Sequence, residues 1–218
     1  TRDNRDFRIN DWFDYMNKNM NSDGFWGKKH IVYSLQNGYH QYEIYNFFKR
    51  TAPKNLNIKK ILKSQDRQGH FGPFLGGGGC YDFDAVDLIY KINDSKYNKN
   101  IDEALLKLYN NLLNEQQKDG GFCESPYISN YKKSILRIFT YTILNFNIPR
   151  FKFFIRTLLS FGSNLILITH WSPNHRKYNQ SDTWNSWFRL LTLYKIKSRL
   201  EKSEDKSKIF PFPGIAFK

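Results

Sequence analysis

The chain has 218 residues, enough for one well-filled domain, and no uninterrupted apolar run long enough to cross a bilayer. Its net charge of +14 comes from scattered lysines and arginines, which argues against a nucleic-acid-binding tail and leaves an acidic ligand or an anionic membrane surface open. Two cysteines, Cys80 and Cys123, make no disulfide framework; without an export-signal pattern they are expected to be thiols of a reducing, cytoplasmic compartment, with peripheral membrane contact allowed.

Helical periodicity dominates from the start of the chain. Residues 12–17, 41–49, 58–63 and 84–92 read as helices. The segment IDEALLKLYNNLLNEQQ then sets Ile101, Ala104, Leu105, Leu108, Leu112 and Leu113 along one stripe. NYKKSILRIFTYTILNF repeats the pattern with Ile135, Ile138, Phe139, Thr142 and Phe146. DTWNSWFRLLTLYKI does so with Trp184, Trp187, Phe188, Leu191 and Tyr194. Strand alternation is scarce, so an all-α fold is expected.

The breakers recur. SDGFWG, DRQGHFG and QKDGGFCES end helices at Gly24, Gly69 and Gly120, at intervals of 45 and 51 residues. A fourth turn is expected in THWSPNHRKYNQSDTW, with Trp171 in the aromatic place. Helix pairs repeating at this period cannot bury their apolar faces alone, so they must stack or close into a ring.

SQDRQGHFG and EQQKDGGFCES resemble the repeated Gln-x-x-x-Gly-(Gly)-Phe element of terpenoid cyclases and protein prenyltransferase β subunits. The resemblance covers roughly residues 24–194. It implies a partial or open α/α toroid of about four helix pairs with Gly-aromatic loops. One domain, 1–218, is expected, with an extended tail from about residue 200. GFWG, YHQYE, GGGCYDFDAVD, SDTWNSWFRLL and the ending FPFPGIAF are similar to bacterial toroid proteins encoded among surface-polysaccharide biosynthesis genes. That likeness implies an isoprenoid, lipid-linked or glycan intermediate as the small-molecule partner.

In such a toroid the inner helices would begin near Gly38, Asp82, Asn130 and Asp182, and their N-termini would gather at one rim that favours anions. His40, Cys80, Asp82, Asp84, Asp87, Cys123, Glu124, Asp182 and Trp184 would meet there. Asp82, Asp84 and Asp87 are the candidate catalytic acids. They resemble the Asp-x-Asp-Asp proton donor of class II cyclases, but here the element reads Asp-x-Asp-Ala. GGCYDF is also similar to the zinc-binding DGCYSF of prenyltransferases. Cys80 matches the cysteine ligand, whereas Gly78 stands where an aspartate is expected and the histidine position falls near Asp182. A mixed zinc set of Cys80, Asp82, Asp84 and His40, or magnesium with a diphosphate on Asp84 and Asp87, follows as an expectation. His40, Glu124, Asp182 and Trp184 are candidate substrate contacts.

Simpler roles stand beside these. One aspartate can cap a helix, the glycine run can supply unusual backbone angles, and both cysteines can be small fillers. His170 and His175 read as surface residues. No Ser-His-Asp arrangement, Walker A sequence or dinucleotide fingerprint is present. The open alternatives are an enzyme, a non-catalytic binding or scaffold toroid, and an α/α-barrel polysaccharide lyase or hydrolase.

Overall fold

A computed structural model describes residues 7–27, 30–51, 58–92, 98–129, 131–159, 166–169 and 172–201. The tail expected from about residue 200, Asn130, His170 and Trp171 lie essentially outside these residues. Eight helices are described: α1 (Phe7–Asn19), α2 (Ile31–Phe47), α3 (Ile58–Ser64), α4 (Gly79–Ile92), α5 (Lys99–Asn114), α6 (Tyr131–Leu144), α7 (Ile148–Leu159) and α8 (Thr183–Leu200). A short antiparallel hairpin, β1 (Ile166–Thr169) and β2 (Ser172–Lys177), precedes α8.

The repeated turns share one hydrogen-bond pattern. Asn21 N–H donates to Phe25 O at 2.7 Å, Asp66 N–H to His70 O at 2.8 Å and Gln117 N–H to Gly121 O at 2.9 Å. In each turn the fourth residue is a glycine at positive φ: Gly24 at 81°, Gly69 at 109° and Gly120 at 83°. A side chain there would be strained, which explains why glycine recurs at this place. The glutamines act alike as well. Gln65 and Gln116 each donate from Nε2, at 2.8 Å, to the carbonyl of Gly69 and Gly120 respectively. The sequence period is therefore a structural period.

Helix α4 is the centre of the core. It packs between α2 and α8, with α3 against its side and α5 against α8. Phe83, Ala85, Val86, Leu88 and Ile89 of α4 join Leu35 of α2, Leu105, Leu108 and Leu112 of α5, and Leu191 and Ile196 of α8 in one buried cluster. Each fully buried Leu or Phe stabilises the fold by about 2 kcal/mol. Helices α6 and α7 pack on each other as a separate hairpin.

Three expectations change. Helix α2 begins at Ile31, well before Gly38. Gly38 is a docking point inside the helix: a Cβ there would lie 2.3 Å from the ring of Phe25. The fourth turn region forms the β-hairpin, so the fold is helical with one small strand pair. On α8 the buried residues are Asn185, Arg189, Leu191, Thr192 and Ile196, while Trp184 and Trp187 are 43% and 48% exposed. The stripe read on α8 is therefore only partly inward: Leu191 is buried and Phe188 packs on the core, but the tryptophans turn out, because a charged residue with enough buried partners takes the inward face. Helix α6 is split in the same way. Ser134, Ile138, Tyr141, Thr142 and Asn145 are buried, whereas Phe139 and Phe146 are exposed.

Candidate functional site

The glycine run builds the site's floor. Gly76, Gly77 and Gly78 all have positive φ, at 86°, 77° and 83°. A Cβ on Gly76 would lie 2.6 Å from Ser125 Oγ, on Gly77 2.7 Å from the His70 ring, and on Gly78 2.7 Å from Glu124 Oε1. Only backbone without side chains fits among three neighbours this close. The run does not cradle a phosphate, because its N–H groups are used: Gly77 N donates to Phe74 O at 3.0 Å and Gly78 N to Gly76 O at 2.9 Å. Gly79 N donates across the structure to Asn185 Oδ1 of α8 at 3.0 Å.

Asn185 then collects the carboxylates of the expected rim. Its Nδ2 donates to Glu124 Oε2 and to Asp182 Oδ2, each at 2.9 Å. Asp182 caps α8 by accepting from Asn185 N at 2.8 Å. Glu124, Asp182 and the start of α4 are thus brought together, through an asparagine that periodicity alone did not mark.

Asp82 lies one turn into α4 and is fully buried. Its Oδ1 accepts from Phe71 N at 2.8 Å, and its Oδ2 is 2.7 Å from His70 Nδ1. His70 Nε2 is 3.0 Å from Glu115 Oε1, and Arg189 Nη1 donates to Glu115 Oε2 at 3.0 Å. Arg189 Nη2 donates to Gly76 O at 2.7 Å and to Glu124 O at 3.1 Å. Two acids thus face two bases in a closed network. Burial alone would lower the pKa of His70, but Asp82 and Glu115 outweigh it and push it up to about 10, so the ring is a cation. Burial opposes ionisation of Glu115 too, yet His70 and then Arg189 hold its pKa below the usual carboxylate range. His70, Glu115, Arg189 and Asn185 are residues of this network that periodicity and motif did not single out. One signal for His70 was available: in the aligned turns it stands where Phe25 stands.

The other two aspartates of α4 face different partners. Asp87 is fully buried, with Oδ2 2.8 Å from Lys91 Nζ and Oδ1 2.6 Å from Lys195 Nζ; Lys91 also pairs with Glu43. Burial raises the Asp87 pKa and Lys195 partly offsets this. Asp84 is 2% exposed, and its Oδ2 has no hydrogen-bond partner among the described residues. Burial, then the charges of Asp87 and Asp82, raise its pKa well above the usual carboxylate range, which favours the protonated carboxyl.

The expected metal sets do not fit. Among the described residues no three His, Cys, Asp or Glu side chains are grouped to hold an ion. His40 is exposed on α2 with its ring against Tyr39, and Asp82 has both oxygens engaged. Burial, followed by Glu124, Asp84 and Asp82, raises the Cys80 pKa, so a thiol and not the zinc-binding thiolate is favoured there. The Asp84–Asp87 pair offers magnesium one protonated acid and one already paired with lysines. Cys123 is buried, its pKa pushed up to about 11 chiefly by burial. Trp184 is on the surface, its ring edge packed on Phe188 with centroids 4.8 Å apart.

The open space lies elsewhere. A cleft of about 550 Å³ is lined by residues of α3, α5, α7 and the turn after α3, among them Lys63, Arg67, Lys107, Asn147 and Arg150. Asp66 also lines it, but its Oδ1 accepts from Gln68, Gly69 and His70 N–H groups and its Oδ2 from Tyr141 OH. Arg150 is 4% exposed; it donates to the carbonyls of Asn145 at 3.2 Å, Ser64 at 2.9 Å and Gly72 at 3.4 Å, and its guanidinium lies over the Tyr141 ring, 5.6 Å from the centroid. Its Nε has no hydrogen-bond partner, and no carboxylate among the described residues lies within ion-pair distance of it. The charge reaches His30 across the cleft, whose pKa is lowered by burial and then by Arg150. Compared with known proteins, the chain matches no family model, no curated protein and no solved structure.

Proposed function

We propose that this chain is a helical-repeat protein built on the toroid plan of terpenoid cyclases and prenyltransferase β subunits, binding an anionic lipid-linked or glycan intermediate of cell-surface polysaccharide synthesis. The toroid plan and the pathway rest on the resemblance of the Gly-aromatic turns and of GGGCYDFDAVD. The binding role rests on one observation: Arg150, buried without a carboxylate, lies in a cleft whose rim carries Lys63, Arg67 and Lys107. A buried cation met by carbonyls and the Tyr141 ring, with no carboxylate beside it among the described residues, is incompletely compensated, and a phosphate or carboxylate group in the cleft would complete it.

Calorimetric titration with inorganic diphosphate and with farnesyl diphosphate tests this reading. Binding is expected, weakened about tenfold or more when Lys63→Glu and Arg67→Glu remove charge-assisted contacts. Equal affinity in wild type and the double variant would sink it.

A second reading keeps an enzyme in view, and Asp84 favours it. A buried, protonated carboxyl with an unengaged oxygen is in the state a general acid requires. Asp84 is buried on α4, which packs between α2 and α8, so a substrate would reach it only by local opening. Asp84→Asn preserves shape and removes the proton. Turnover of a polyprenyl diphosphate, followed by mass spectrometry, should vanish in this variant while its melting curve stays cooperative; unchanged turnover would eliminate the acid role.

A further inference from the structure

The α6–α7 hairpin carries its polarity inside out. Its inward residues include Ser134, Tyr141, Thr142 and Asn145 of α6 and Arg150 and Thr157 of α7. These fasten the hairpin to the turn after α3 by hydrogen bonds: Tyr141 OH to Asp66 Oδ2 at 2.8 Å, and Arg67 N to Asn145 Oδ1 at 2.7 Å. Its outward residues are apolar. Leu136, Phe139, Ile143 and Phe146 follow helical spacing along α6 and just beyond it, and Ile148, Phe151, Leu158 and Leu159 do so along α7; all eight are exposed. Leu136 is 68% exposed, Phe146 69% and Leu159 81%. Ring contacts between Phe139 and Phe154 (centroids 5.4 Å apart) and between Phe146 and Phe151 (6.1 Å) join the two stripes into one face. Isolated surface hydrophobics are ordinary, but a joined pair of stripes marks an interaction surface.

Charge identifies the partner. From residue 125 to residue 181 the sequence contains no Asp or Glu, while Arg137, Lys152 and Arg156 stand exposed among the apolar side chains. A second copy meeting this face with its own would set these cations against their equivalents with no acid to offset them. An anionic, apolar partner has no such conflict. Helices α6 and α7, of 14 and 12 residues, are too short to cross a bilayer, and no helix of the described residues is long and apolar enough to do so. Lying in the plane of the interface buries both stripes at once while the arginines and lysine reach headgroup phosphates.

We infer that the outer face of the α6–α7 hairpin is a docking surface for an anionic lipid bilayer. The surface rests on the hairpin alone and does not depend on what the basic cleft holds, although Phe146 belongs to both. It would present the cleft at the membrane, where a lipid-linked ligand resides.

Co-sedimentation of the full chain with vesicles tests this, using phosphatidylcholine alone and phosphatidylcholine mixed with phosphatidylserine. Binding is expected only to the mixed vesicles. Arg137→Gln, Lys152→Gln and Arg156→Gln should weaken it about fivefold for each side chain neutralised. The triple variant Leu136→Ser, Ile143→Ser, Leu159→Ser should weaken it at least tenfold, with an unchanged melting temperature as the control for folding. If that variant melts early, the charge series decides the matter by itself. Failure to bind the anionic vesicles, or binding that neither series weakens, overturns the inference. Equilibrium sedimentation showing a dimer that the serine variant converts to monomer would overturn it too, because the face would then join two copies.

Discussion

The α4–α8 seam and the α6–α7 hairpin both bury polar side chains and leave large apolar ones outside. The seam, however, also packs Phe83, Val86, Leu88, Leu191 and Ile196 into the main core, whereas most of the hairpin's large apolar side chains are exposed. The seam buries His70, Asp82, Asp87, Asn185 and Arg189, and leaves Trp184 and Trp187 outside. The hairpin turns Phe139, Ile143 and Leu159 outward and fastens itself with Asn145, Tyr141 and Arg150. The contrast shows that an amphipathic stripe fixes a helix's two faces but not which of them is inside. That choice is made by partners. A buried charge is tolerable only where every oxygen and N–H is met, and the seam meets nearly all of its own. The hairpin's inner hydrocarbon, Ile138 and Phe153, packs on Phe74 and Ile128, but its exposed stripes are covered by nothing among the described residues.

The largest way to break this contrast is to remove one charge from the seam. Arg189→Met takes from Glu115 its guanidinium partner and from the carbonyls of Gly76 and Glu124 a charged donor. A loss of about 3–5 kcal/mol is expected in urea unfolding, the cost of breaking a buried ion network from one side. A loss under about 1 kcal/mol would mean that the network contributes little.

A pH series sharpens the contrast. An imidazole in the unfolded chain loses its proton near pH 6.5, whereas His70 in the fold keeps it to about pH 10. Its stabilisation is therefore complete below pH 6.5 and lost as pH rises through about 10. The stability difference between wild type and His70→Gln should shrink across that window. Groups common to both proteins cancel in this difference, so a difference that stays constant would show His70 to be neutral in the fold. The smallest effect belongs to the hairpin. Leu159→Ser, at a largely exposed position, should shift the unfolding free energy by no more than about 0.5 kcal/mol.

Much of the architecture was legible in the sequence. The turns at Gly24, Gly69 and Gly120 announce themselves because their positive φ excludes other residues. Asp182 as the cap of α8 and the α5 residues Leu105, Leu108 and Leu112 also follow from local rules. What was hidden is what depends on distant partners. Gly38 reads as a breaker until the ring of Phe25 is placed on it. Asp82 reads as a free acid until His70 stands 2.7 Å away. Arg189 reads as the exposed side of a tryptophan helix until two acids and two carbonyls surround it. The hairpin before α8 was missed because β1 is only four residues long and β2 contains Pro173, both weak strand signals.

The seam also sets a timetable for synthesis. Gly76 and Arg189 are 113 positions apart, Gly79 and Asn185 are 106, and Asp87 likewise awaits Lys195. While the chain is being made, α4 emerges with His70 and Lys91 at hand for Asp82 and Asp87, but before Lys195, Arg189 and Asn185 exist. The core around α4 therefore cannot close until α8 has left the ribosome, and contacts this remote are formed slowly. A nascent chain of this protein holds an open, half-assembled core until α8 is made, and chaperone contact should persist on it until that helix arrives.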